Sequence, residues 1–218
     1  MPSLTSETWS ILLLSLQVSG SAILISAVVG IPLGTYLGLS RFAFNPVLAA
    51  LVYTGMAMPP VVVGLVLYLL LSRSGPLGFA GWLLTPRAMV VAQVILGLPF
   101  VTGITMTTVS AMPAEMLLQI RSLGASRWQA RLTVLREARH GVLLALVAGF
   151  GRSISEVGAV WIVGGNIKGH TRVLTTAIVL ETRQGHFALA LILGAVLLAL
   201  AMVANVVILR LYGSRLLP

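Results

Sequence analysis

Residues 115–139, EMLLQIRSLGASRWQARLTVLREAR, carry five of the chain's fourteen Lys and Arg residues and lie between long apolar runs. Within this stretch Leu117, Ile120, Gly124, Trp128, Leu132 and Leu135 recur at helical steps of three and four, which predicts one apolar face. Arg121, Arg127, Arg131 and Arg139 fall on the other. Gly124, at the centre, permits a turn or a close approach that a side chain would block. Two uses satisfy this pattern. One is a helical hairpin lying on a membrane with its arginines among lipid phosphates. The other is a surface built to insert into a partner protein.

The flanking sequence sets the class. The chain has 218 residues, 58% hydrophobic and 9% charged, with a mean hydropathy of +1.03. Soluble domains run near 25% charged, so this is an all-α, polytopic membrane protein, read as one domain over 1–218. Cysteine is absent, which excludes disulfides and thiolate metal sites. A net charge of +9 reads beside such apolar runs as topology and headgroup contact, not as nucleic-acid binding. There is no Asp, and the five Glu residues are scattered, so no paired-carboxylate acid/base site can be assembled. His140, His170 and His186 are dispersed without metal-ligand spacing.

Crossing about 30 Å of hydrocarbon takes roughly 20 apolar residues. Five runs reach that length: 9–39, 46–71, 88–109, 142–163 and 187–212. A sixth, 173–180, is too short to cross and is expected to be re-entrant or interfacial. The opening MPSLTSETWS has no Lys or Arg, and the apolar run after it is too long for a signal-peptide core, so the first span is expected to be retained. Sorting cations by alternating side puts Arg41, the five of 115–139, Arg210 and Arg215 together. Arg73, Arg87, Lys168, Arg172 and Arg183 lie opposite, with Arg152 inside a span. The positive-inside rule makes the larger group cytoplasmic, placing the N-terminus outside, the C-terminus inside and the loop 113–140 in the cytoplasm.

Pro32, Pro59, Pro60 and Pro99 fall in or near spans, as ordinary kinks or as gating hinges. Gly30 and Gly34 have the spacing of close helix packing. Arg152 and Glu156 share a face one turn apart near the middle of the fourth span. At that depth neither faces lipid. They are a mutually neutralising packing pair, or they line a passage, with Ser155 beside them. After this span the run Gly164 to Arg172 leads into the short stretch. It is a plain turn capped by Asn166 or Thr171, or an anion site in which Thr171, Thr175 and Thr176 supply hydroxyl donors near Arg172.

The stretch SLGASRWQARLTVL resembles the cytoplasmic EAA loop of ABC importer permeases of the five-helix core type. The match lies at Leu123, Gly124, Ala125, Ser126 and Trp128. Leu118 stands where that motif has its glutamate, Gln119 and Ile120 where it has alanines, and Glu137 where it has proline. The run GFGRSISEVGAVWIVGGNIKGHTRVLTTAIVLET, 149–182, is similar to permeases of tungstate importers, relatives of molybdate permeases. This likeness implies a coupling helix docking on an ATPase, with Arg121 and Arg127 flanking the matched residues. It also implies a homodimer, two ATP-binding subunits and an extracytoplasmic oxyanion-binding protein, in a bacterial or archaeal cytoplasmic membrane. No GxxxxGK[ST] phosphate loop occurs in the chain, so ATP and Mg are expected on the partner ATPase and no cofactor on this chain. The expected function is ATP-driven tungstate import. Its rivals are molybdate or sulfate as cargo, and an ATP-independent anion channel or secondary transporter.

Overall fold

The computed structural model describes residues 4–40 and 44–212; Arg41 and Arg215, counted in the charge balance, lie outside them. The first helix, α1 (Leu4–Leu39), runs 36 residues, about 54 Å at 1.5 Å per residue, more than the hydrocarbon core needs. It lies along α4 (Pro86–Ser110). The contact is a glycine row, Gly30, Gly34 and Gly38. A Cβ on Gly34 would lie 2.5 Å from the Thr102 carbonyl oxygen, and one on Gly38 2.7 Å from that of Met106. Backbone therefore meets backbone, as small residues at four-residue spacing allow between membrane helices.

The run expected as one span over 46–71 is two helices, α2 (Asn45–Met56) and α3 (Pro60–Leu71), meeting at 96°. Pro59 and Pro60 remove two backbone donors, and a proline pushes the residue before it out of the helical region. Pro59 is extended at φ −66°, ψ 123°, and Pro60 opens α3, where its missing N–H costs nothing. The run expected over 142–163 is likewise broken. The hairpin helices α5 (Ala114–Ser122) and α6 (Arg127–Glu137) lead into α7 (Arg139–Ile154), which meets α8 (Gly158–Gly164) at 53°.

One half of each broken span, α3 and α8, packs on the other. A Cβ on Gly64 of α3 would lie 2.8 Å from Ala159 Cα, and one on Gly158 3.1 Å from Val61 Cγ2. Around them a core of Val63, Leu67, Met89, Leu96, Val160 and Val163 joins α3, α4 and α8. The 173–180 stretch forms α9 (Leu174–Arg183), followed by α10 (Phe187–Tyr212). Leu174 and Ala177 are buried with Ile11 of α1 and Leu193 of α10, so α9 is packed into the bundle by its N-terminal end. Among the described residues three helices, α1, α4 and α10, are long and apolar enough to cross a membrane, and counting each bent pair as one span gives up to five.

Candidate functional site

The hairpin turns at Leu123, Gly124, Ala125 and Ser126. Gly124 has φ +88° with open space where a Cβ would go, so the backbone conformation, and not crowding, calls for glycine. Ser126 then starts α6. Its hydroxyl accepts the Gln129 N–H at 3.3 Å, and Gln129 Oε1 accepts the Ser126 N–H at 2.8 Å, a reciprocal box that satisfies two otherwise orphaned donors.

Because the turn resets the helical phase, the six residues expected on one apolar face do not share it. Leu117 and Ile120 pack inward with Val109, Val134 and Ala138. Trp128 points away, 66% exposed, together with Leu118 at 66% and Leu123 at 87%. Arg121, Arg127 and Arg131 line a notch of about 190 Å³ beside Leu39 and Leu117. The Arg131 guanidinium lies 5.3 Å from the centre of the Tyr36 ring, a cation–π distance. Arg139 is not part of this surface; it opens α7. The hairpin thus presents an apolar tip beside a cationic notch, a composition suited to docking.

Inside the bundle, Glu156 lies in the gap between α7 and α8, not in mid-helix as the sequence suggested. One carboxylate oxygen, Oε2, takes Arg152 Nη1 at 2.9 Å; the other, Oε1, accepts the Ala159 N–H at 3.0 Å. The second bond satisfies a free donor at the start of α8. Thr175 of α9 donates to the Glu156 carbonyl at 2.9 Å. One residue therefore ties three helices. Its side chain is 3% exposed, whereas that of Arg152 is 25% exposed and lies 5.9 Å from the Phe100 ring centre. Ser155 is exposed, but its hydroxyl donates back to Gly151 at 2.8 Å.

The turn between α8 and α9 is built differently from an anion cradle of free donors. Thr171 donates to the Gly164 carbonyl and accepts the Ile167 N–H at 2.9 Å. Thr176 bridges the N–H and carbonyl of Val173. With Thr175 bound to Glu156, all three hydroxyls are committed to backbone, and the N–H groups of His170, Thr171 and Arg172 all donate to the Ile167 carbonyl. Asn166 adopts φ +50° and is buried, a left-handed turn that asparagine tolerates. Arg172 and Lys168 converge instead on Glu7 of α1, at 3.5 and 2.8 Å. Sequence reading missed Glu7, because its partners lie about 160 residues downstream in the chain and no local periodicity joins them. It also missed the Phe100 and Tyr36 rings beneath the arginines.

The family model described as "Binding-protein-dependent transport system inner membrane component" matches residues 30–214. A probable anion ABC transporter permease protein of Haloferax volcanii is 44% identical over 201 residues, 90% of this chain and 87% of the relative. The tungstate uptake system permease protein TupB of Peptoclostridium acidaminophilum is 42% identical over 202 residues, 93% of this chain and 89% of the relative. The molybdenum transport system permease protein ModB of Escherichia coli is 31% identical over 214 residues, 92% of each chain.

Proposed function

This chain belongs to the family of binding-protein-dependent transport system inner membrane components, and we propose that it is the permease of an ATP-driven tungstate importer. It is a multi-pass membrane transport component, not an enzyme. The observation that carries the proposal is the hairpin, which exposes Leu118, Leu123 and Trp128 on and beside a turn closed by Gly124 at positive φ. Likeness to the tungstate permease at 42%, against 31% for the molybdenum permease, favours tungstate among tetrahedral oxyanions.

In this reading two copies of the chain enclose the passage, since five spans scarcely surround one alone. Two ATP-binding subunits hold ATP and Mg and take the hairpins. An extracytoplasmic binding protein delivers the anion, and the N-terminus lies outside with the C-terminus in the cytoplasm. The hairpin drives the bundle only if its contact with the ATPase differs between the two states, because equal binding shifts nothing. The passage is assigned to the broken spans. Discontinuous helices commonly line substrate sites in transporters, where freed backbone groups face water or protein instead of lipid. Arg152, still partly open, meets the dianion. Glu156 keeps that guanidinium partly neutralised, so that the anion is released and not trapped. At the outer end, Glu7 with Lys168 and Arg172 latches α1 to the α8–α9 turn.

A Leu123→Cys chain assembled with its ATPase tests the docking. A disulfide to a cysteine placed in the ATPase surface is expected, formed to a different extent with and without ATP. A folded Leu123→Cys chain that forms none in either state contradicts the reading.

A further inference from the structure

On the face formed by α1, α6, α7 and α10 runs a groove of about 810 Å³. Leu24 and Val28 of α1, Leu143 and Leu146 of α7, and Ile208 of α10 line it, and so do Arg136 and Arg139, which lie at the α6–α7 junction where α7 begins. Leu24 and Val28 are among the most exposed apolar residues of the chain, and only 11% of the α10 spanning window is buried, so this face looks outward from the bundle. Along α1 the groove extends from Ile23 to Pro32, about 13 Å at 1.5 Å per residue, close to the roughly 15 Å depth of one leaflet's hydrocarbon. Neither Arg136 nor Arg139 has an ion pair among the described residues. Two guanidiniums without counter-charge at the interfacial end of an apolar slot complement an anionic headgroup on an acyl chain.

We propose that this groove is a binding site for one anionic glycerophospholipid of the cytoplasmic leaflet, its acyl chain between α1, α7 and α10 and its phosphate on Arg136 and Arg139. The leaflet rests on the orientation proposed above; the chemistry of the groove does not. A lipid held there bridges the α6–α7 junction, the base of the hairpin, to the transmembrane helices on either side.

The test is native mass spectrometry of the purified full chain titrated with phosphatidylglycerol or with phosphatidylcholine. Retention of one phosphatidylglycerol per chain is expected, weakened roughly tenfold or more by Arg136→Gln with Arg139→Gln, with phosphatidylcholine unaffected. Val28→Trp, which fills the groove from an exposed position, is expected to weaken retention similarly, while Arg73→Gln with Arg87→Gln leaves it unchanged. Equal retention of the two lipids, or undiminished phosphatidylglycerol in the Arg136/Arg139 variant, overturns the site. A Val28→Cys chain that crosslinks to a second copy through the groove also overturns it. Because this readout needs neither ATPase nor transport, its failure is separable from failure of the import reading. Labelling Arg139→Cys from each side of sealed vesicles reads the orientation independently.

Discussion

Replacing Glu156 with Gln keeps an oxygen for the Ala159 N–H but removes the charge facing Arg152, whereas Glu156→Ala removes both. The two substitutions therefore separate the residue's two tasks. Both variants are expected to lose uptake. Only the Ala variant also loses the N-terminal partner of α8, and it is expected to be less stable than the Gln variant by about 1–3 kcal/mol, the cost of an orphaned buried donor. Thermal unfolding in detergent checks the difference. Gly124 carries a different demand, since a side chain there meets no neighbour and only φ is at stake. Uptake is predicted to fall in the order Gly, Asn, Ala, Val, with membrane insertion unchanged, because the left-handed conformation costs non-glycine residues about 1–2 kcal/mol and Asn least. If Ala and Val transport like the native chain, the turn is not what transmits motion.

Among the elements, α1 and α4 depend on a row of absent side chains. Gly34→Leu has no space between α1 and the Thr102 carbonyl, and separating the helices forfeits packing along their length. A sharp fall in folded yield by size-exclusion chromatography is expected, against little change for Gly20→Leu, which faces open space. Two glycines of this row were readable from spacing. The breaks in the spans were readable unequally. The Pro59–Pro60 pair was visible and its consequence underestimated, since composition makes one span of 46–71 and only geometry shows a 96° bend. Nothing so plain marks Glu156. Its signal is a carboxylate placed three residues before a backbone donor, inside an apolar run, and it looks the same as an i,i+4 ion pair until the donor is seen to be free. The hairpin's faces were misjudged for a related reason: a helical period read straight through Gly124 ignores the reset of phase that the turn imposes.

At the scale of the whole molecule, α3 and α8, one half of each broken span, pack together beside α4, while α10 lies largely exposed at the edge of the bundle. The membrane class and the hairpin were legible because they rest on composition and local pattern. The pairing of α3 with α8 and the Glu7 latch rest on contacts between distant segments, which one sequence does not display. Breaking the latch with Glu7→Gln is predicted to leave folding intact and to raise ATP hydrolysis by the assembled complex in the absence of binding protein, measured as phosphate release.

In the proposed mechanism an oxyanion crosses this chain only when the hairpin is driven by an ATPase. The direct measurement is tungstate accumulation in proteoliposomes containing the chain, its ATP-binding subunit and the binding protein, with ATP supplied on the ATPase side. Uptake is expected to require ATP and all three components, and to be abolished by Gly124→Val while the variant still inserts. Tungstate entry into vesicles that hold the chain without its ATPase, at a rate that ATP does not change, would contradict it.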